Sequence, residues 1–230
     1  MGASRQPAPA QQPNGQQPNG QQPEGQYEVL NSIERFRGRV VALRSDEVRM
    51  SDGSTAVRDI VEHPGAVGIV AIDDEQRIVL VRQYRHPVRQ FLDELPAGLL
   101  DIDGEPAYLA AARELAEEAG LAAAHWHTLV DLLNSPGGSD EAVRVFLASG
   151  LSAAAPAEGF VVEDEELQIT VQRVPLDEAI GRCLAGELTN AIAVAGILAA
   201  GLLRGPDGAV SDPRGLLRPA DAPWSARPSH

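Results

Sequence analysis

The stretch GLLDIDGEPAYLAAARELAEEAGL, residues 98–121, decides how this chain is read. Pro106 suits the first turn of a helix and Gly120 its C-terminal cap, so the stretch predicts a helix over 106–120. Stepping about 100° per residue from Glu114, Glu117 falls at roughly 300° and Glu118 at roughly 40°, so three carboxylates share one face. Tyr108, Leu109, Ala112, Leu115, Ala116 and Ala119 fall on the other side, which is expected to pack on a sheet. Like charges four residues apart, as at Glu114 and Glu118, cost an isolated helix a few tenths of a kcal/mol, and a hard divalent cation would relieve them. The plain alternative is a solvated acidic face.

Working outward, the segments Arg37 to Arg44, Glu47 to Ser51 and Thr55 to Val61 are β-prone pieces broken by turns, and they predict a small antiparallel sheet. Two apolar runs, Ala66 to Ile72 and Ile78 to Val81, read as a hairpin of a central sheet, with a further short strand at Leu92 to Leu95. Strands are expected at Trp126 to Leu132, Ala142 to Ala148 and Leu167 to Val174, and helices at Leu176 to Ala185 and Asn190 to Leu203. The fold class is mixed α/β, with late helices against the sheet.

QQPNG, QQPNG and QQPEG repeat over 11–25, too polar to offset the entropy of ordering, so 1–26 is expected to be a disordered low-complexity tail. Residues 205–230, rich in Pro, Asp, Arg and Gly, read as a loose C-terminal tail. Between them lie a β-subdomain at 27–62 and a larger domain at 63–204.

All 19 basic side chains are arginine, so chemistry that needs an amine, such as a Schiff base, pyridoxal phosphate or a P-loop, has nothing to use. Cys183, the one cysteine, cannot close an internal disulfide, and the cytoplasm is the expected compartment. The apolar run Ala191 to Leu203 is 13 residues with two glycines inside, short of a membrane span, and no membrane partner is expected. A net charge of −14 disfavours nucleic acid, whose phosphates need a basic surface. Residues 101–118 and 157–168 each carry −5, and carboxylates so crowded must lie apart, take up protons or share cations. His125 and His127 alternate along a strand without a third ligand, and Ser135 and Ser139 have no G-x-S-x-G elbow, so neither pair makes a site.

Gly98, Glu105, Arg113, Glu114, Leu115, Glu117, Glu118, Gly120 and Leu121 resemble the Nudix box, G-x5-E-x7-R-E-U-x-E-E-x-G-U with U aliphatic. The chain departs from it once, with six residues instead of five between Gly98 and Glu105. The resemblance implies an α/β/α sandwich whose box glutamates hold Mg2+ or Mn2+. On it, Glu114, Glu117, Glu118 and the carbonyl of Ala97 match metal ligands, and Glu105 and Arg113 match the pair that braces loop against helix. The segments RDIVEH at 58–63, VRQYR at 81–85, ELPAG at 94–98 and SPGGSDE at 135–141 resemble the ADP-ribose pyrophosphatase subgroup in particular. By that match Arg58, Tyr84, Arg85, Pro136 and Glu141 are substrate contacts. In the acidic run 163–166, Glu163 matches the catalytic base and Glu165 a further metal ligand, with a one-residue ambiguity of register. The implied activity is hydrolysis of ADP-ribose to AMP and ribose 5-phosphate. The rivals are another nucleoside diphosphate sugar as substrate, or a sensor that binds ADP-ribose without turnover. A homodimer joined through the N-terminal sheet is expected, because strands around 40–43 carry apolar surface that needs a cover.

Overall fold

The computed structural model describes residues 27–154, 169–212 and 214–228. The N-terminal sheet is antiparallel, with β1 (Glu28–Arg37), β2 (Ala42–Arg49) and β3 (Thr55–Glu62) in that order. The expected strand 37–44 is therefore wrong in its bounds, since it straddles the turn between β1 and β2, where the Gly38 N–H donates to the Val41 carbonyl at 2.8 Å. β1 carries no alternating apolar signal because almost all of it is exposed; backbone pairing and polar cross-strand bonds, such as Ser32 Oγ to Asp46 at 2.6 Å, hold it.

The central sheet has the order β11-β8-β9-β4-β7, with β4 (Ala66–Ala71) parallel to β9 (Ala142–Ala153) and antiparallel to β7 (Ala97–Leu99). Its other members are β8 (Leu121–Leu133) and the short β11 (Arg218–Pro219). A second sheet orders β10 (Thr170–Pro175), β5 (Arg77–Arg85) and β6 (Gln90–Glu94). The runs 66–72 and 78–81 do not form the expected hairpin. They enter different sheets and their backbones pair only at the Ile72–Ile78 bridge, where the Asp73 carboxylate gathers the backbone N–H groups of Glu75 and Arg77. Both runs are buried on both faces, so each finds its own neighbours.

Strand alternation separates two cores. Val67, Ile69 and Ala71 of β4 join Phe146 and Ala148 of β9 beneath α1 (Ala107–Ala119). Ala66 and Val70, with Val143 and Val145, turn to the other side, where they pack with residues of α2 (Leu176–Leu184) and α3 (Ala191–Leu202). Among the described residues, no helix is long and apolar enough to cross a membrane.

The helix of the box lies where its sequence puts it, and Leu115, with Tyr108 and Ala119, packs on the core as expected, but the buried face is shifted toward the glutamates. Leu109 is 46% exposed, while Ala110, Ala111 and Leu115 are buried. These buried positions span an arc from roughly 320° to roughly 100° about the helix, and that arc contains Glu114 and Glu118. The alanines allow the helix to come close to the sheet, so the glutamates face into the protein body.

The C-terminal segment is not loose, contrary to its composition. Val210 N–H donates to Gln76 Oε1 at 2.6 Å, β11 pairs with β8, and Thr128 Oγ1 donates to the Pro219 carbonyl at 3.0 Å. Arg144, 2% exposed, donates to both oxygens of Asp131 at 2.7 and 3.0 Å and to the carbonyls of Ala222 and Pro223, with its guanidinium 4.7 Å from the Trp224 ring centroid. Backbone carbonyls on one buried cation anchor the segment, a device that apolar periodicity does not reveal. Burial works against the Asp131 charge, but bonds from Arg144 and Arg218 prevail and hold its pKa below the ordinary 3.8. A carboxylate with a depressed folded pKa stabilises above its unfolded value and loses that contribution as pH falls through the folded one. Near-ultraviolet circular dichroism of Trp224 is expected to relax below about pH 4, and Asp131→Asn is expected to show the relaxed signal already at pH 7. An unchanged spectrum in that variant would remove the anchor.

Candidate functional site

The site is built where β7 meets the middle of α1. The Pro96 carbonyl accepts from Ile69 N–H at 2.8 Å, and Ala97 and Gly98 pair with Gly68 and Val67 of β4, which fixes the lead-in on the central sheet. Gly120 ends α1 at φ 65°, a left-handed conformation that costs glycine nothing, and its N–H returns to the Ala116 carbonyl at 3.0 Å. Gly98 is required by close approach: a Cβ there would stand 2.0 Å from Glu114 Cδ. The absent side chain is the space in which the Glu114 carboxylate lies.

Glu118 accepts from the Ala97 N–H at 3.0 Å. Burial drives its pKa up to about 8, against the Ala97 N–H that favours the charged form, with the neighbouring Glu114 charge raising it further. Burial also lifts Glu114 to about 7, although Arg113 opposes this. Arg113 donates to Glu114 at 2.7 Å and Glu117 at 3.0 Å, and it reaches Glu105 at 3.3 Å. Burial disfavours its charge, yet these carboxylates raise its pKa above the ordinary value.

Among the described residues, no three His, Cys, Asp or Glu side chains form a ready cage for a metal. The donor chemistry nevertheless fits a hard cation. Glu114 and Glu118 are carboxylates held in a desolvated place at the cost of their charge, and Mg2+ needs only one or two such oxygens because it keeps several waters. Glu163 and Glu165 lie outside the described residues.

The expected substrate residues are distributed unevenly. Arg85 forms a two-pronged ion pair with the buried Glu94, at 2.7 to 3.2 Å, and its charge bears on Glu118. Glu94 had no role in the sequence; the signal was its place in the β5–β6 pairing, opposite Val81, on the face that Arg85 shares. Tyr84 packs on Phe91 and His86, with ring centroids 5.5 and 6.1 Å away. Pro136 sits in an exposed turn closed by Ser135 and Ser139, and the Glu141 N–H donates to Ser139 Oγ. Arg58 is on the exposed N-terminal sheet, where it donates to the Val57 carbonyl at 3.1 Å, and the fold does not bring it to the box glutamates by any described contact.

The NUDIX domain family matches residues 62–193. The chain is 47% identical over 203 residues to an ADP-ribose pyrophosphatase of Mycobacterium tuberculosis, covering 88% of this chain and 93% of that one. It is 41% identical over 145 residues to a methanol dehydrogenase activator of Bacillus methanolicus, covering 63% and 76%. A crystal structure described as an ADP compounds hydrolase superposes with a TM-score of 0.65 at 26% identity, covering 76% of this chain and 92% of that one.

Proposed function

The chain belongs to the NUDIX domain family of hydrolases, and from that premise we propose that it splits the pyrophosphate bond of ADP-ribose into AMP and ribose 5-phosphate, with Mg2+ or Mn2+ as its divalent metal. The observation that carries the reading is the pair of desolvated carboxylates, Glu114 and Glu118, seated against a glycine that leaves room for them. A divalent cation bound there would supply charge for the diphosphate oxygens and would lower the pKa of a bound water. Glu114, Glu117 and Glu118 would hold it, with the Ala97 carbonyl as a further ligand in this reading. Arg113 spans Glu105, Glu114 and Glu117, which keeps the carboxylates spread on the helix. Arg85, aligned by Glu94, supplies a guanidinium charge suited to a diphosphate. The proton of the attacking water passes to a carboxylate of the 163–166 run, Glu163 in this reading. An assay of the purified chain against ADP-ribose, UDP-glucose, GDP-mannose and NADH, following products, tests it. Preference for a substrate other than ADP-ribose would overturn the substrate assignment and leave the hydrolase.

We propose further that the enzyme is a homodimer through its N-terminal sheet, which shows Leu30, Ile33, Phe36, Val40 and Val57 to solvent in the single chain. That arrangement gives Arg58 a route to the partner's site. Light scattering is expected to give twice the 24.4 kDa of one chain. Mixing an Arg58→Ala protein with a Glu118→Gln protein is expected to restore part of the activity; a monomer without rescue would end the proposal.

A further inference from the structure

The loop 135–141 that carries Pro136 and Glu141 leans on the N-terminal sheet. Val61 N–H donates to the Gly138 carbonyl at 2.9 Å, Asp140 N–H returns to the Val61 carbonyl at 3.2 Å, and Val61 and Ser139 form a parallel bridge. The loop thus extends the sheet beyond β3 by one short segment. The Asp140 carboxylate accepts the His63 N–H at 2.9 Å, which ties the loop to the chain just after β3.

Two arginines reach the carboxylates at this junction, Arg37 at 3.8 Å from Glu62 and Arg44 among all of them. Arg44 donates through Nε to Asp46 at 3.1 Å and through Nη1 to Glu62, and the same nitrogen is 3.9 Å from Asp140 Oδ2. The side chains of Asp46 and Asp140 are 5% and 13% exposed, so their charges are poorly screened by solvent. Cross-strand register opposes Ala42 to Glu62, Arg44 to Ile60 and Asp46 to Arg58, so Arg44 and Arg58 share a sheet face. Removing the Arg44 charge takes away the cation that Asp46, Glu62 and Asp140 share, and with it the direct link between β2 and the loop.

We infer that Arg44 is a positioning residue for the substrate: through Glu62 and Asp140 it fixes the loop 135–141 against β3 and so sets where Pro136 and Glu141 meet a nucleoside diphosphate sugar. The inference rests on the reading of that loop as a substrate contact. A contact made alike in ground and transition states shows in KM when lost, whereas the reacting atoms, held by the box, show in kcat.

The test is steady-state kinetics of the full chain with ADP-ribose and Mg2+, with thermal melting of each variant. Arg44→Met is expected to raise KM about tenfold while kcat stays within about twofold. Arg44→Lys is expected to recover part of that loss, because an ammonium restores the charge without the fork. Asp140→Asn is expected to raise KM in the same way, and the double variant to be no worse than the weaker single one, because one interaction is lost in both. Should Arg44→Met fail to fold, Arg44→Lys and Asp140→Asn decide between them. An unchanged KM in these variants, beside a raised KM in Glu141→Gln, would overturn the role of Arg44 and leave the loop as substrate contact. A wild-type KM in Glu141→Gln would overturn the reading of the loop and this inference with it. Additive losses in the double variant would show that Arg44 does not act through Asp140.

Discussion

Glu118→Gln is expected to lower turnover of ADP-ribose at least about a hundredfold without loss of fold. Glutamine keeps the shape of the side chain, and its carbonyl can still accept the Ala97 N–H that Glu118 accepts at 3.0 Å. What disappears is the charge, which burial already opposes strongly enough to bring the pKa up to about 8. A group so destabilised by desolvation contributes nothing to folding as a bare carboxylate. The melting temperature of the metal-free variant should therefore equal or exceed that of the parent, and only the metal-dependent gain in melting temperature should shrink. Turnover within threefold of the parent would sink the metal assignment, whatever the fold does.

Gly98→Ala is expected to imitate Glu114→Gln, with activity down by one to two orders of magnitude, about what displacing one ligand of a catalytic cation costs. The reason is the 2.0 Å that would separate the new Cβ from Glu114 Cδ. A collision with the end of a flexible side chain is relieved by moving that side chain, so stability should fall by no more than about 1–3 kcal/mol. The loss would concentrate on the site because Glu114 is what moves. A variant with normal activity would show that Glu114 functions from another position, and one that fails to fold would show that the lead-in, rather than the carboxylate, is what Gly98 protects.

Much of the molecule is legible in its sequence because local rules agree there. Pro106 and Gly120 bracket α1 to within a residue, since a fixed φ suits a first turn and a left-handed residue suits a last one. The helices after β10 also stand close to their expected bounds, and the structure shows Pro175 ahead of Leu176 and Asn190 capping Ala191–Leu202 through Ala193 N–H at 3.0 Å. The spacing of Glu114, Glu117 and Glu118 is likewise local, and with it the concentration of charge.

What lay outside that reach depended on which surfaces meet. Helix periodicity puts the glutamates of α1 opposite the packing face, with a solvated face and a shared cation both open, and it does not say how far burial extends around the helix. The tertiary structure turned Ala110 and Ala111 inward beside the expected Leu115, and Glu114 and Glu118 went with them. Small alanines permit a close approach to the sheet, and Gly98 gives the first carboxylate its space. The C-terminal segment followed the same logic. Its composition predicts a loose end, yet Arg144, buried 78 residues before Ala222, collects its carbonyls. The sequence alone determined where the helices stand and which residue types they carry. Only the packed structure decided which face is desolvated, because desolvation belongs to the contact between elements and no single element contains it.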